Sequence, residues 1–144
     1  MANASTTGFG FRPIKKVGQT DNVGALTEYS VAASSALISH AAMVQLTADG
    51  VVLASGNTDA NNLGSLNGVF YTDATTSKPT FSNYSPASNT ATDIVAFVND
   101  DPRQVYEIMS ADTAFNQNEV GGCADQVVSA GTSPLFISKS KISA

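Results

Sequence analysis

His40 is the single histidine of this 144-residue chain and Cys123 its single cysteine, so the two side chains that most often serve as base, nucleophile or metal ligand occur once each. One imidazole can join at most one triad or donate one metal ligand. His40 lies between Ser39 and Ala41, which reads as a structural residue at or near the surface. A lone cysteine closes no disulfide within the chain and leaves a small packed thiol or an intermolecular bridge. The glycine-bounded serine elbow G-x-S-x-G does not occur, which removes the usual hydrolase signature. Gly8-Phe9-Gly10 begins like a dinucleotide fingerprint, but Pro13 stands at the third glycine position and no strand precedes it. Asn57, Asp59, Asn61 and Asn62 have the oxygen-rich spacing that hard cations favour. The bidentate glutamate that would close a calcium loop is missing, since its place falls on Gly68 or Phe70. Asp100 and Asp101 are the remaining pair with acid–base chemistry in reach. Adjacent residues of an extended turn point apart, and Arg103 stands ready to neutralise one of them, so a solvated turn is expected. Nothing here composes an active site, and the chain is expected to be no enzyme and to carry no cofactor or metal.

The elements that position these residues read as strands. Serine, threonine, asparagine, glycine and alanine dominate, apolar runs are short, and turn residues recur about every 8–15 positions, the pattern of an all-β sandwich or barrel. An apolar content of 42% in one domain of this length buries roughly 68% of the unfolded surface, enough for a core without staples. The organising stretch is Thr92 to Met109, TDIVAFVNDDPRQVYEIM. Ile94, Ala96 and Val98 alternate with Val95 and Phe97, which predicts a strand covered on both faces. Asn99 to Arg103 reverses the chain through proline and Asx geometry into a second, half-wet strand, making one hairpin. Leu26 to Ala33 predicts a first strand. Asp49-Gly50 between Ala42–Thr47 and Val51–Ala54 predicts a second hairpin. Ser55 to Gly64 is a polar loop, and Gly68–Thr72, Phe81–Tyr84, Gln126–Ala130 and Leu135–Ser138 are short strands. Ala32–Met43, rich in alanine and serine, stays open between a short helix and a loop entering a strand, and Ala111–Asn118 between one or two turns of helix and a loop. The expected architecture is a single small barrel or sandwich, 25–144, preceded by an extended basic arm, 1–24.

Charge is unevenly spread. The net value is −5, yet residues 1–20 carry Arg12, Lys15 and Lys16 with no acid, and all twelve acids lie between residues 21 and 125. Lys139 and Lys141 make the end basic again. An acidic body without a basic, aromatic-studded patch argues against nucleic-acid binding. No run approaches the roughly 18 apolar residues of a membrane helix, and no secretory signal core is present, so no membrane association is expected.

Three stretches, GFGFRPI, LNGVFYTDATTSKPTFSNY and DIVAFVNDDPRQVYEI, together resemble a family of small virion proteins of tailed phages. These are encoded beside the major capsid protein, notably in marine phages infecting cyanobacteria and abundant marine bacteria, and are taken to be capsid decoration or cement proteins. The resemblance spans roughly Gly8 to Asp125. It departs at Gly8, where the family usually has proline, and after Leu135–Ile142, where members tend to continue for another strand or two. It implies a β-tulip-like or jelly-roll body, a homotrimer at local three-fold positions, the major capsid protein as partner, and a place on the outer capsid surface after assembly in the host cytoplasm. A tail, fibre or host-recognition module, or a small trimeric β-barrel enzyme, stands as the alternative.

Such a protein grips its lattice with an extended segment that adds main-chain hydrogen bonds and side-chain anchors. Phe9 and Phe11 lie two apart, so in extended backbone both face one way with Arg12 opposite, followed by Pro13. The capsid-binding arm is therefore expected at Phe9, Gly10, Phe11, Arg12, Pro13, Lys15 and Lys16, with an arm that folds back and buries the two rings in its own core as the alternative. The turn at Asp100, Asp101 and Arg103 reads as scaffold geometry or as a contact at a subunit boundary.

Overall fold

A computed structural model describes residues 7–18, 26–57, 61–111 and 116–143, apart from the side chain at position 51. The fold is all-β, with one short 3-10 turn among the described residues, at Gln117–Glu119. The strands are β1 (Arg12–Lys16), β2 (Thr27–Val31), β3 (Met43–Leu46), β4 (Val51–Ala54), β5 (Asn62–Thr72), β6 (Pro79–Ser82), β7 (Val95–Asn99), β8 (Gln104–Glu107), β9 (Asp125–Val127) and β10 (Lys141–Ser143).

Five strands close a ring. β3 pairs with β4, β4 with β2, β2 with β7, β7 with β5, and β5 returns to β3; only the β2–β4 contact is parallel. Closure depends on β5, which is 11 residues long and divides one edge between two partners. Its first half pairs with β3 and its second half with β6, while the opposite edge follows β7. The register shifts between Leu66 and Gly68, and such an irregularity supplies the bend and added twist that a small barrel needs.

The core lies inside this ring. Ala96 and Val98 of one β7 face, with Ile94 just before the strand, meet Leu66, Val69 and Tyr71 of β5, with Val31, Val44 and Val52 from the other strands and Ile38 and Ala91 from connecting segments. Each fully buried branched side chain contributes about 1.5–3 kcal/mol. The other β7 face, Val95 and Phe97, is half-buried. β7 is thus one-sided, less enclosed than its doubly apolar sequence predicts.

The Asp-Gly hairpin forms as its turn chemistry dictates. Gly50 adopts φ +75° and its N–H reaches Thr47 O at 3.0 Å. The expected hairpin at Thr92–Met109 does not form. The chain reverses at Asp101, whose carbonyl accepts from Gln104 N at 2.9 Å, but β8 pairs with β1. Both edges of β7 are already occupied by β2 and β5, so barrel closure displaces β8 to another partner. Two further expectations are corrected. The polar loop at Ser55–Gly64 yields to strand from Asn62 onward, and Leu135–Ser138 keeps only an isolated bridge, Ile137 with His40, while the terminal strand is Lys141–Ser143 on β9. Residues 112–115 of the open Ala111–Asn118 stretch lie outside the described residues.

Candidate functional site

The N-terminal segment reaches the body through glycine. Gly8 crosses the C-terminal chain so closely that a Cβ there would overlap Lys139 O and approach Ser140 O to 2.8 Å. Gly10 adopts φ +74°, and a Cβ on it would run into Ala41 O and come within 2.8 Å of the Ser138 side chain. Only glycine fits a left-handed backbone at such close approach. This turn breaks the alternation expected of an extended arm. Phe9 and Phe11 consequently have different neighbours: the Arg12 guanidinium lies 5.6 Å from the Phe9 ring centre, and Phe11 meets Tyr106 edge-to-face at 6.2 Å. Arg12 is therefore not opposite Phe9, and both aromatic rings are engaged by their own chain.

From Arg12 the segment is β1, antiparallel to β8, with Arg12 opposite Glu107 and Lys16 opposite Gln104. A register shift between Pro13 and Lys15 sets Ile14 outward at 39% exposure. Within the described part of the expected arm, residues 7–18, Arg12–Lys16 is a strand of the body, paired with an edge of β8 that β7, already flanked by β2 and β5, does not take. Residues 1–6 and 19–24 of that arm lie outside the described residues.

The structure joins the two groups that sequence spacing singled out separately. Lys16 Nζ lies 2.6 Å from Asp101 Oδ2, both side chains largely covered. Asp101 Oδ1 accepts from Arg103 N at 2.8 Å, and the Arg103 side chain stands 3.8 Å away. Val17 N donates to Arg103 O at 2.9 Å and Gln104 Nε2 to Lys15 O at 2.9 Å, sealing the open end of the ribbon. The Lys16 hydrogen bond, assisted by the Arg103 N–H, holds the Asp101 carboxyl below the ordinary carboxylate value. Its neighbour points to the barrel instead. Asp100 accepts from Thr27 Oγ1 at 2.8 Å and Tyr29 Oη at 2.6 Å, and that carboxylate raises the Tyr29 phenol above its usual range. Tyr106 Oη donates to Asn99 O at 2.7 Å, which anchors β8 to the end of β7, and burial pushes its phenol up.

Chemically this is a clamp. Asp100 and Asp101 each have their own donors and face different elements, so they share no proton and form no acid–base pair. Arg12 and Lys15 remain exposed, with Arg12 3.2 Å from Glu107 at the surface. The other candidates lie apart from this clamp. His40 Nδ1–H donates to Asn67 O at 3.0 Å, and Asn57 Oδ1 accepts from Val128 N at 2.6 Å, tying the asparagine-rich segment to the C-terminal chain. Cys123 is exposed. Asp59 lies outside the described residues. Among the described residues no three of histidine, cysteine, aspartate and glutamate gather as a metal site, and no helix is long and apolar enough to cross a membrane.

Sequence reasoning missed β8 as the ribbon's partner strand. Glu107 opposite Arg12 and Gln104 opposite Lys16 were the available signal, but pairing over such separations is decided by the barrel. It also missed a second surface. Leu135, 63% exposed, and Ile137, 38% exposed, border a groove of about 410 Å³ with Phe9, Pro134 and Lys139. In comparisons with known proteins, no family model, no curated protein and no solved structure matches the chain.

Proposed function

We propose that this protein is a structural virion protein that binds the outer surface of a phage capsid and cements neighbouring major capsid protein subunits. The observation that carries the reading is the β1–β8 ribbon. The stretch GFGFRPI, one of the three that carry the family resemblance, and the turn at Asp100–Arg103 are bonded into one ridge. Ile14 stands outward on it between the exposed cations Arg12 and Lys15. Arg12, Pro13, Ile14 and Lys15 supply the capsid contact, while Phe9, Gly10, Phe11 and Lys16 fix the ridge to the barrel. A ridge held in place before binding loses less conformational entropy on docking than a free arm. The role is mechanical, with three copies at each local three-fold position. Each bound copy bridges subunits, and preference for the expanded shell stabilises that shell by mass action.

Purified capsids lacking this protein, mixed with wild type or with the Ile14→Ser/Lys15→Glu double variant, test the reading. Wild type is expected to saturate the shell at hundreds of copies, and the variant to fold normally but lose occupancy. Unchanged occupancy of the variant removes the ridge from the contact. A wild-type count of a few to dozens per particle points to a tail or fibre module, and no binding overturns the capsid reading.

A further inference from the structure

The C-terminal segment carries a cation with an unusual setting. Lys139 is half-buried, its backbone fixed by Lys139 N to Ser129 O at 2.9 Å and by the close crossing of Gly8 over its carbonyl. Arg12, Lys16 and Arg103 each have a carboxylate within 4 Å; Lys15, Lys78 and Lys139 make no ion pair among the described residues, and of these three Lys139 alone is half-buried, the other two being exposed. The chain has twelve acids against seven lysines and arginines, yet among the described residues no carboxylate lies within 4 Å of the Lys139 ammonium. A partly desolvated ammonium gains most from an opposite charge where water is already partly excluded.

Two depressions flank this lysine. The first, about 410 Å³, has apolar walls from Phe9, Pro134, Leu135 and Ile137. The second, about 400 Å³, is bordered by Ala111, Val127, Ser129 and Lys141. Both share Thr7, Gly8 and Lys139 along their common rim. Each volume lies in the roughly 300–1,000 Å³ range of sites that engulf small ligands. Their arrangement on either side of one crossing, however, suits a chain-like occupant that continues across Lys139. Leu135, 63% exposed at the rim, is the kind of apolar side chain that such an occupant covers.

We infer that this trough binds an extended segment of a partner protein, one that carries a carboxylate between apolar side chains. The carboxylate pairs with Lys139, an apolar side chain fills the depression walled by Phe9, Leu135 and Ile137, and the main chain runs on toward Lys141. This surface is distinct from the Ile14–Lys15 ridge, and its chemistry is independent of which particle the protein serves.

The test uses the full chain, isotopically labelled, titrated with an acetylated and amidated Ser-Leu-Asp-Leu-Ser peptide. The same peptide with lysine in place of aspartate is the control. Saturable shifts at Gly8, Ile137 and Lys139 are expected with the acidic peptide alone. Affinity should fall about tenfold in Lys139→Ala, through loss of the charge-assisted bond, and comparably in Leu135→Ala. Both side chains reach solvent, so both variants retain the fold, which the spectra report directly. Absence of saturable binding, equal binding of the lysine peptide, or indifference to both variants overturns the inference. A wild-type oligomer that dissociates in Leu135→Asp, seen by sedimentation velocity, also overturns it by making a second copy of this chain the occupant.

Discussion

Gly10→Ala distinguishes a docked N-terminal segment from a free arm. In a free arm the substitution is nearly neutral, since alanine narrows the unfolded ensemble by only a few tenths of a kcal/mol to about 1 kcal/mol. In the docked segment two costs arise together. Alanine at φ +74° costs roughly 1–2 kcal/mol for left-handed backbone. Its Cβ also meets Ala41 O, a main-chain atom that no rotamer change can move away. The chain then either shifts or releases the segment. Release loses the Phe11 N to Ala41 O bond of 2.8 Å, about 1 kcal/mol net, and the edge-to-face contact of Phe11 with Tyr106, about 0.5–1.5 kcal/mol. The expected fall in unfolding free energy is about 2–4 kcal/mol, measured by denaturant titration with linear extrapolation. Native-state hydrogen exchange locates the loss: the Phe11 and Val17 amides lose protection first, and Val98 in the barrel follows only the global transition. A Gly10→Ala protein with unchanged stability and unchanged Phe11 protection refutes the docked strand and restores the swinging arm.

Two further outcomes follow from the same geometry. The Asp101 carboxyl is held below its ordinary value of 3.8 in the folded state, so its contribution is present above that value and lost as pH falls through the lower folded value. Acid should therefore loosen β1 from β8, read as falling Val17 amide protection below about pH 4. Asp101→Asn should remove this step while leaving those of Asp73 and Asp93, whose carboxyls are also held low by threonine donors. A pH profile identical in Asp101→Asn and wild type contradicts the clamp. Leu66→Ala empties a side chain that is 1% exposed at the point where β5 bends to close the ring, and a loss of about 2–5 kcal/mol is expected by thermal or denaturant unfolding. A loss under 1 kcal/mol would place Leu66 outside the core.

The alternation of Ile94, Ala96 and Val98, the turn dipeptide Asp49-Gly50 and the scarcity of helix signals made strand content, one hairpin and the innermost core face legible from sequence. These are local properties, set by a two-residue period and by the φ preferences of single residues. The same locality made Thr92–Met109 read as a hairpin. Nothing within those residues reports that β2 and β5 already occupy both edges of β7, so the destination of β8 was hidden. The candidate site shows the same division. Arg12, Lys16, Asp101 and Arg103 could each be picked out by type and position, but the pairing of Lys16 with Asp101 exists only because barrel closure sends β8 to β1. The trough beside Lys139 left no trace in sequence, since its walls come from opposite ends of the chain. Sequence alone determined which segments extend and which faces are apolar, because backbone sterics and side-chain alternation act over a few residues. Tertiary structure decided who pairs with whom, because a closed ring fixes every edge at once, and that condition made Arg12–Lys16 of the expected arm a strand of the body.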